Sequence, residues 1–242
     1  MAGDVPETLL FDGLLLLGIA VGFFVSASAG LGGSLVLAPL LTLALGVKEG
    51  IAFAALLLAA NNVVKLWAYR TTLPWKAAAV ITLGTVLGAL AGAHLLVAAP
   101  DAVVRVGVFV AVAVALLGEG RVDRAWSAPL APALAAAAGA TSGFSGTSGP
   151  LKGIAVRSLG LGRMQTVGAA AIVSATADLT KVAVFGEAGL VGAAHLQLAI
   201  LCVPLMAVAT IAGRRFTWTI GEDGYARLFR LVMVGYALRL LV

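Results

Sequence analysis

The chain has 242 residues, 61% of them hydrophobic and only 11% charged, against roughly 25% charged in an ordinary soluble domain. Sixteen Lys and Arg and eleven Asp and Glu, a net charge of +5, cannot cover a soluble globule of this size. That excludes a soluble enzyme, a disordered chain and a nucleic-acid binder with a polar shell. The mean hydropathy of +1.07 predicts an all-α, polytopic membrane bundle, and the excess of basic residues then reports orientation.

The first ten residues hold Asp4 and Glu7 and no Lys or Arg. A cleaved signal opens on a basic region, so the run 14–25 is expected to be a retained membrane segment. Apolar helices are expected over about 9–27, 33–46, 50–69, 75–98, 102–118, 127–144, 150–160, 164–185, 189–212 and 222–242. A crossing takes about 20 helical residues, which most of these supply. The second and seventh reach only roughly 21 Å and 17 Å at helical rise. Both follow uncharged, glycine-rich stretches, 29–34 and 143–150. Such a pattern predicts a chain that turns inside the bilayer, where unpaired backbone is tolerated only if it is buried in protein or lines a wet cavity.

The breaks between segments sort by charge. One face collects Arg70 and Lys76, Arg121 and Arg124, Arg157 and Arg163, and Arg214 and Arg215; the other holds Asp4, Glu7, Lys48 with Glu49, Asp101 and Glu187. The positive face is expected in the cytoplasm, which puts the N-terminus outside. Trp67, Tyr69, Trp75, Trp126 and Trp218 lie beside the cytoplasmic breaks, as an interfacial aromatic belt would.

Sliding the chain by 116 residues brings Ser26 onto Ser142, Gly30 onto Gly146, Gly33 onto Gly149, Gly46 onto Gly162 and Lys65 onto Lys181. The chain therefore reads as one transport domain, 1–242, of two halves of about 1–125 and 126–242. Five segments per half is odd, so the second half runs inverted. Inverted repeats with Gly/Pro-interrupted segments at matching places mark secondary transporters.

At these residues a resemblance enters. The run Ala29-Gly-Leu-Gly-Gly-Ser-Leu-Val-Leu-Ala-Pro39, then Leu45-Gly46, then the second glycine loop, resembles the sulfite exporter TauE/SafE family over essentially the whole chain. The resemblance implies an inner-membrane permease for small sulfur-containing anions: sulfite, sulfonates or sulfoacetate-like compounds.

Helices starting near Gly33/Ser34 and Pro150 present free N–H groups and the positive end of a dipole, which suits an anion. Gly30, Gly32, Gly33, Gly146 and Gly149 allow close approach, and Ser26, Ser28, Ser34, Ser145, Thr147 and Ser148 supply hydroxyls. The competing reading is that these small residues only let helices pack, as the repeat Gly84/Gly88/Gly92 does. Lys65, Asp178 and Lys181 are ionisable groups in apolar helices, costly there and functional by default. Lys65 has a second reading, snorkelling toward the interface near Arg70. Asp178 and Lys181, three apart on one helical face, form an ion pair for packing or, in the sharper reading, couple transport to a proton. Asn61 and Asn62 need partners when buried, supplied by substrate or by another helix.

These residues lead to alternating access around an anion held between the loops, with Asp178 as the coupling group. No cofactor, metal or nucleic acid is called for; the partners are a small anion and lipid, and a homodimer is compatible. One rival is a rhomboid-like intramembrane serine protease, since Gly143-Phe144-Ser145-Gly146 contains a Gly-x-Ser-Gly pattern and His195 follows. An anion channel is the other.

Overall fold

The computed structural model describes residues 5–29, 33–117 and 129–216, and among them are ten helices and no strand. In chain order these are α1 (Val5–Ala29), α2 (Gly33–Leu45), α3 (Val47–Ala68), α4 (Trp75–Ala98), α5 (Asp101–Leu117), α6 (Ala131–Ser145), α7 (Gly149–Arg157), α8 (Arg163–Glu187), α9 (Ala193–Leu201) and α10 (Val203–Phe216). An apolar chain with few polar side chains must satisfy its backbone internally, and within one segment only the helix does so. Among the described residues α3, α4 and Gln165–Glu187 can each cross a bilayer by length and hydropathy, and Ala193–Leu201 with Val203–Gly213, bent by 45° at their break, form either a broken span or a re-entrant loop.

Several boundaries differ from expectation by a few residues, and four of the differences have local reasons. The segment expected at 189–212 is broken at Cys202, because Pro204 has no N–H for a helical bond and its ring collides with the carbonyl four residues back. The sixth helix starts at Ala131 and not at 127, with a proline in its first turn, where the missing N–H costs nothing. The seventh stops at Arg157 ahead of Gly160, whose φ of 69° ends it in a turn. At the start of α8 the cap is Gly162, and Thr166 bonds back to the Leu161 and Gly162 carbonyls. The segment expected at 222–242 lies outside the described residues.

Small residues decide which helices touch. A Cβ on Gly88 or Gly92 of α4 would run into the carbonyls of Ala136 and Ala140, and one on Gly139 of α6 into that of Thr85. The register rises together on both chains, so α4 and α6 are parallel with their backbones in contact. Lys48 at the start of α3 reaches the carbonyl of Val97 at the end of α4, 3.0 Å away, so those two are antiparallel. Gly168 near the start of α8 lies against Thr72 and Pro74, just ahead of α4, while Val184 and Phe185 at the other end join Ala93 and Leu96. Helix α8 is therefore parallel to α4 and antiparallel to α3.

The offset of 116 is present in the boundaries. Helices α1 and α6 end at Ala29 and Ser145, α2 and α7 start at Gly33 and Gly149, and α3 and α8 start at Val47 and Arg163. Counterparts α3 and α8 run in opposite directions and cross. Polarity is distributed inside out: Leu83, Leu87, Val106, Ile200 and Leu201 are exposed, whereas Lys65, Lys181, Asp178, Asn61 and Asn62 are buried. Trp67 and Trp75 are exposed, but Tyr69 is buried; Trp126 and Trp218 lie outside the described residues.

Candidate functional site

Where α3 crosses α8, the chain places a small polar cavity lined by Ser26 of α1, Gly33 and Ser34 of α2, and Leu58, Asn62 and Lys65 of α3. The second half contributes Ser142 of α6, Lys152 of α7, and Ser174 and Asp178 of α8. Its interior volume is about 10 Å³, close to the least that holds one water.

The polar contacts obey the repeat. Lys65 Nζ donates to Ser26 Oγ at 3.0 Å, and Lys181 Nζ donates to Ser142 Oγ at 3.1 Å; the two pairs are each 39 residues apart and offset by 116. Asn62 and Asp178 occupy equivalent positions, and they bond to each other, Nδ2 to Oδ2 at 2.7 Å. A bond between equivalent residues places that pair where the two halves meet. Lys181 closes an ion pair with the other carboxylate oxygen of Asp178 at 2.7 Å. Lys65 is only 1% exposed, so it does not snorkel.

Two cations stand apart. Lys152 Nζ donates to Ser174 Oγ at 3.0 Å, and Lys65 to Ser26. Among the described residues neither has a carboxylate within ion-pair distance, unlike Lys48 and Lys181. Lys65 is buried and Lys152 half-buried, and an ammonium held by one hydroxyl keeps most of its donor capacity unspent. Ser26 Oγ also accepts from Asn61 Nδ2 at 3.2 Å, so both its lone pairs are committed. Thr210 of α10 donates to Asn61 Oδ1 at 3.0 Å and fixes that amide. The chemistry on offer is an excess of positive charge and hydroxyl donors, an anion site in character.

Not every expected residue lines it. Ser26, Gly33, Ser34, Asn62, Lys65 and Asp178 do; Lys181 and Asn61 sit behind the lining, bonded to Ser142 and Asp178 and to Ser26 and Thr210. Thr147 is buried, its hydroxyl 3.4 Å from that of Ser34, so the two glycine loops meet. Ser145 turns away, donating to the Thr141 and Thr147 carbonyls at 2.7 and 3.3 Å. Gly146 ends α6 in the left-handed region at φ 77°, pressed against Ala38 and Ile51. Ser148 is buried at the cap of α7 and Gly149 opens that helix. Gly30 and Gly32, and the side chain of Ser28, lie outside what the structure describes.

Sequence reasoning missed Lys152, Ser142 and Ser174 as site residues. The rule that singles out Lys65 and Lys181, an ionisable group in an apolar segment, applies equally to Lys152. The serines carry no such signal.

The protease arrangement does not form. Among the described residues Ser145 bonds backbone carbonyls, while His195 Nδ1 accepts from the Gly192 N–H at 3.2 Å and its ring packs on Phe53 with centroids 5.4 Å apart. Each member of the needed pair is engaged elsewhere. Comparison with known proteins gives one family: the model of the sulfite exporter TauE/SafE family matches residues 14–240. No curated protein and no solved structure matches significantly.

Proposed function

We propose how this chain, which belongs to the sulfite exporter TauE/SafE family, handles its substrate. It is a multi-pass membrane permease; the reading offered is a secondary transporter that holds a small sulfur-containing anion in the cavity where α3 and α8 cross. One observation carries this: two lysines with no carboxylate partner among the described residues, Lys65, which is buried, and Lys152, which is half-buried, line the same cavity. A buried cation is costly, and an anion between the two offsets that cost with charge-assisted bonds. Ser26, Ser34, Ser142 and Ser174 add hydroxyls for the remaining oxygens, and the start of α2 adds its dipole.

With room for about one water, the cavity must widen for an oxyanion. Alternating access supplies that motion: one half rocks against the other about the crossing, opening to each side in turn. Asp178 is the group assigned here to couple the motion to a proton, a reading supported by its bond to Asn62 of the other half. The location is the cytoplasmic membrane, with the N-terminus outside as the basic breaks suggest.

The test is the thermal stability of detergent-purified protein with sulfite, sulfate, thiosulfate, alkyl sulfonates and acetate, since a ligand of the folded state raises its apparent stability. Stabilisation by sulfur oxyanions, lost in Lys152→Ala and Lys65→Ala, supports the reading. No shift with any of the anions overturns it. A saturable flux in proteoliposomes separates carrier from channel.

A further inference from the structure

We infer that the cavity takes its anion in a protonated form, an oxyanion bearing one O–H, with Asn62 Oδ1 as the acceptor of that proton. This rests on the anion site proposed above and specifies what enters it.

The Asn62 amide is oriented by its partner. Nδ2 donates to Asp178 Oδ2 at 2.7 Å, and the reverse orientation would set two acceptors against each other. Oδ1 is therefore fixed on the other branch, and it is buried with no hydrogen-bond partner among the described residues. Asn62 is 1% exposed and lines the cavity. Buried carbonyl oxygens are almost always paired, so this one points to a donor that the protein does not provide.

The surroundings supply charge but not that donor. The titratable groups around Asn62 are Lys65 on its own helix, Lys152 on α7, and Asp178 with Lys181 on α8; α1, α2 and α6 bring serines and Gly33 but no titratable group to the cavity. Both Asp178 oxygens already accept, from Asn62 and from Lys181. A fully deprotonated oxyanion would turn a lone pair toward Asn62 Oδ1. An anion with one O–H meets the lysines with its charged oxygens and the amide with its proton. Hydrogen sulfite has that chemistry; methanesulfinate, with a methyl where the O–H stands, is its aprotic counterpart.

Titration calorimetry of the purified full chain with sulfite and with methanesulfinate, over a pH range spanning the second ionisation of sulfite, tests this. Wild type is expected to prefer sulfite by roughly tenfold or more, the worth of one hydrogen bond to a charged ligand. The ratio falls toward one as rising pH removes the proton. Where sulfite is singly protonated the two anions carry the same charge and titration of the lysines affects them alike, so the ratio there isolates the donor. Asn62→Leu is expected to reduce the preference to within about twofold, whatever it does to the affinity for methanesulfinate itself. Equal binding of the two anions in wild type at every pH, or an undiminished preference in Asn62→Leu, overturns the inference; the wild-type ratio stands by itself if the variant fails to fold. Binding of neither anion overturns the anion-site reading instead.

Discussion

Lys65, Lys152 and Lys181 are alike in composition and differ in company. Lys181 is fully buried and neutralised by Asp178, whereas Lys65 and Lys152 have only serine hydroxyls. The consequences of removing them differ accordingly. Lys181→Ala leaves a buried carboxylate unpaired and is expected to cost about 3–5 kcal/mol, read as a lowered midpoint in thermal unfolding. Joining it with Asp178→Asn removes both charges and restores most of that stability; a double variant as unstable as the single one would refute the pairing account. Lys152→Met removes a charge and strands no carboxylate among the described residues, leaving only the Ser174 hydroxyl without its donor. It is expected to leave folding near wild type and weaken sulfite binding by roughly tenfold or more, measured by calorimetry.

Among elements, the α4–α6 contact depends on absent side chains. Gly84, Gly88 and Gly92 face the carbonyls of Pro132, Ala136 and Ala140, and Gly139 and Gly143 return the fit against Thr85 and Ala89. Without a hydrophobic drive between helices in lipid, close packing of small residues holds them together. Gly88→Val is expected to destabilise by about 1–3 kcal/mol or more, as overpacking does. Gly186→Ala, where a Cβ meets nothing within 4 Å, is expected to be neutral or slightly stabilising. Comparing the two by unfolding in detergent separates packing from a general intolerance of glycine replacement. The spacing of four made this stripe readable in the sequence. Its partner was not readable, because α6 presents alanines and glycines no different from those elsewhere.

At the scale of the molecule, the two glycine loops come from opposite halves and touch at Ser34 and Thr147, 3.4 Å apart. If access alternates by rocking one half against the other, that contact must change. A chain with Ser34→Cys and Thr147→Cys, and Cys202→Ala to remove the native thiol, is expected to lose flux on oxidation and regain it on reduction. The hydroxyl separation suits a bridge after small adjustment. Undiminished flux in the bridged form would exclude relative motion of these loops from the transport cycle.

Composition alone determined the solvent of this protein: with 11% charged residues, only an apolar environment can surround it. Periodic apolar runs placed the helices, since each span satisfies its own backbone and its length follows from bilayer thickness. Glycine loops and the ionisable residues Lys65, Asp178 and Lys181 were visible because both are out of place in such runs. The Asp178–Lys181 pair was readable from its spacing of three, but partnership between helices was not visible. That Asn62 bonds Asp178, and that Lys65 and Lys152 meet serines of other helices, depend on which faces meet when the helices pack. The break at Cys202 belongs to the local sequence, through Pro204. The site does not, because its groups come from six helices and their electrostatics depends on separations of about three ångströms that only the packed fold brings about.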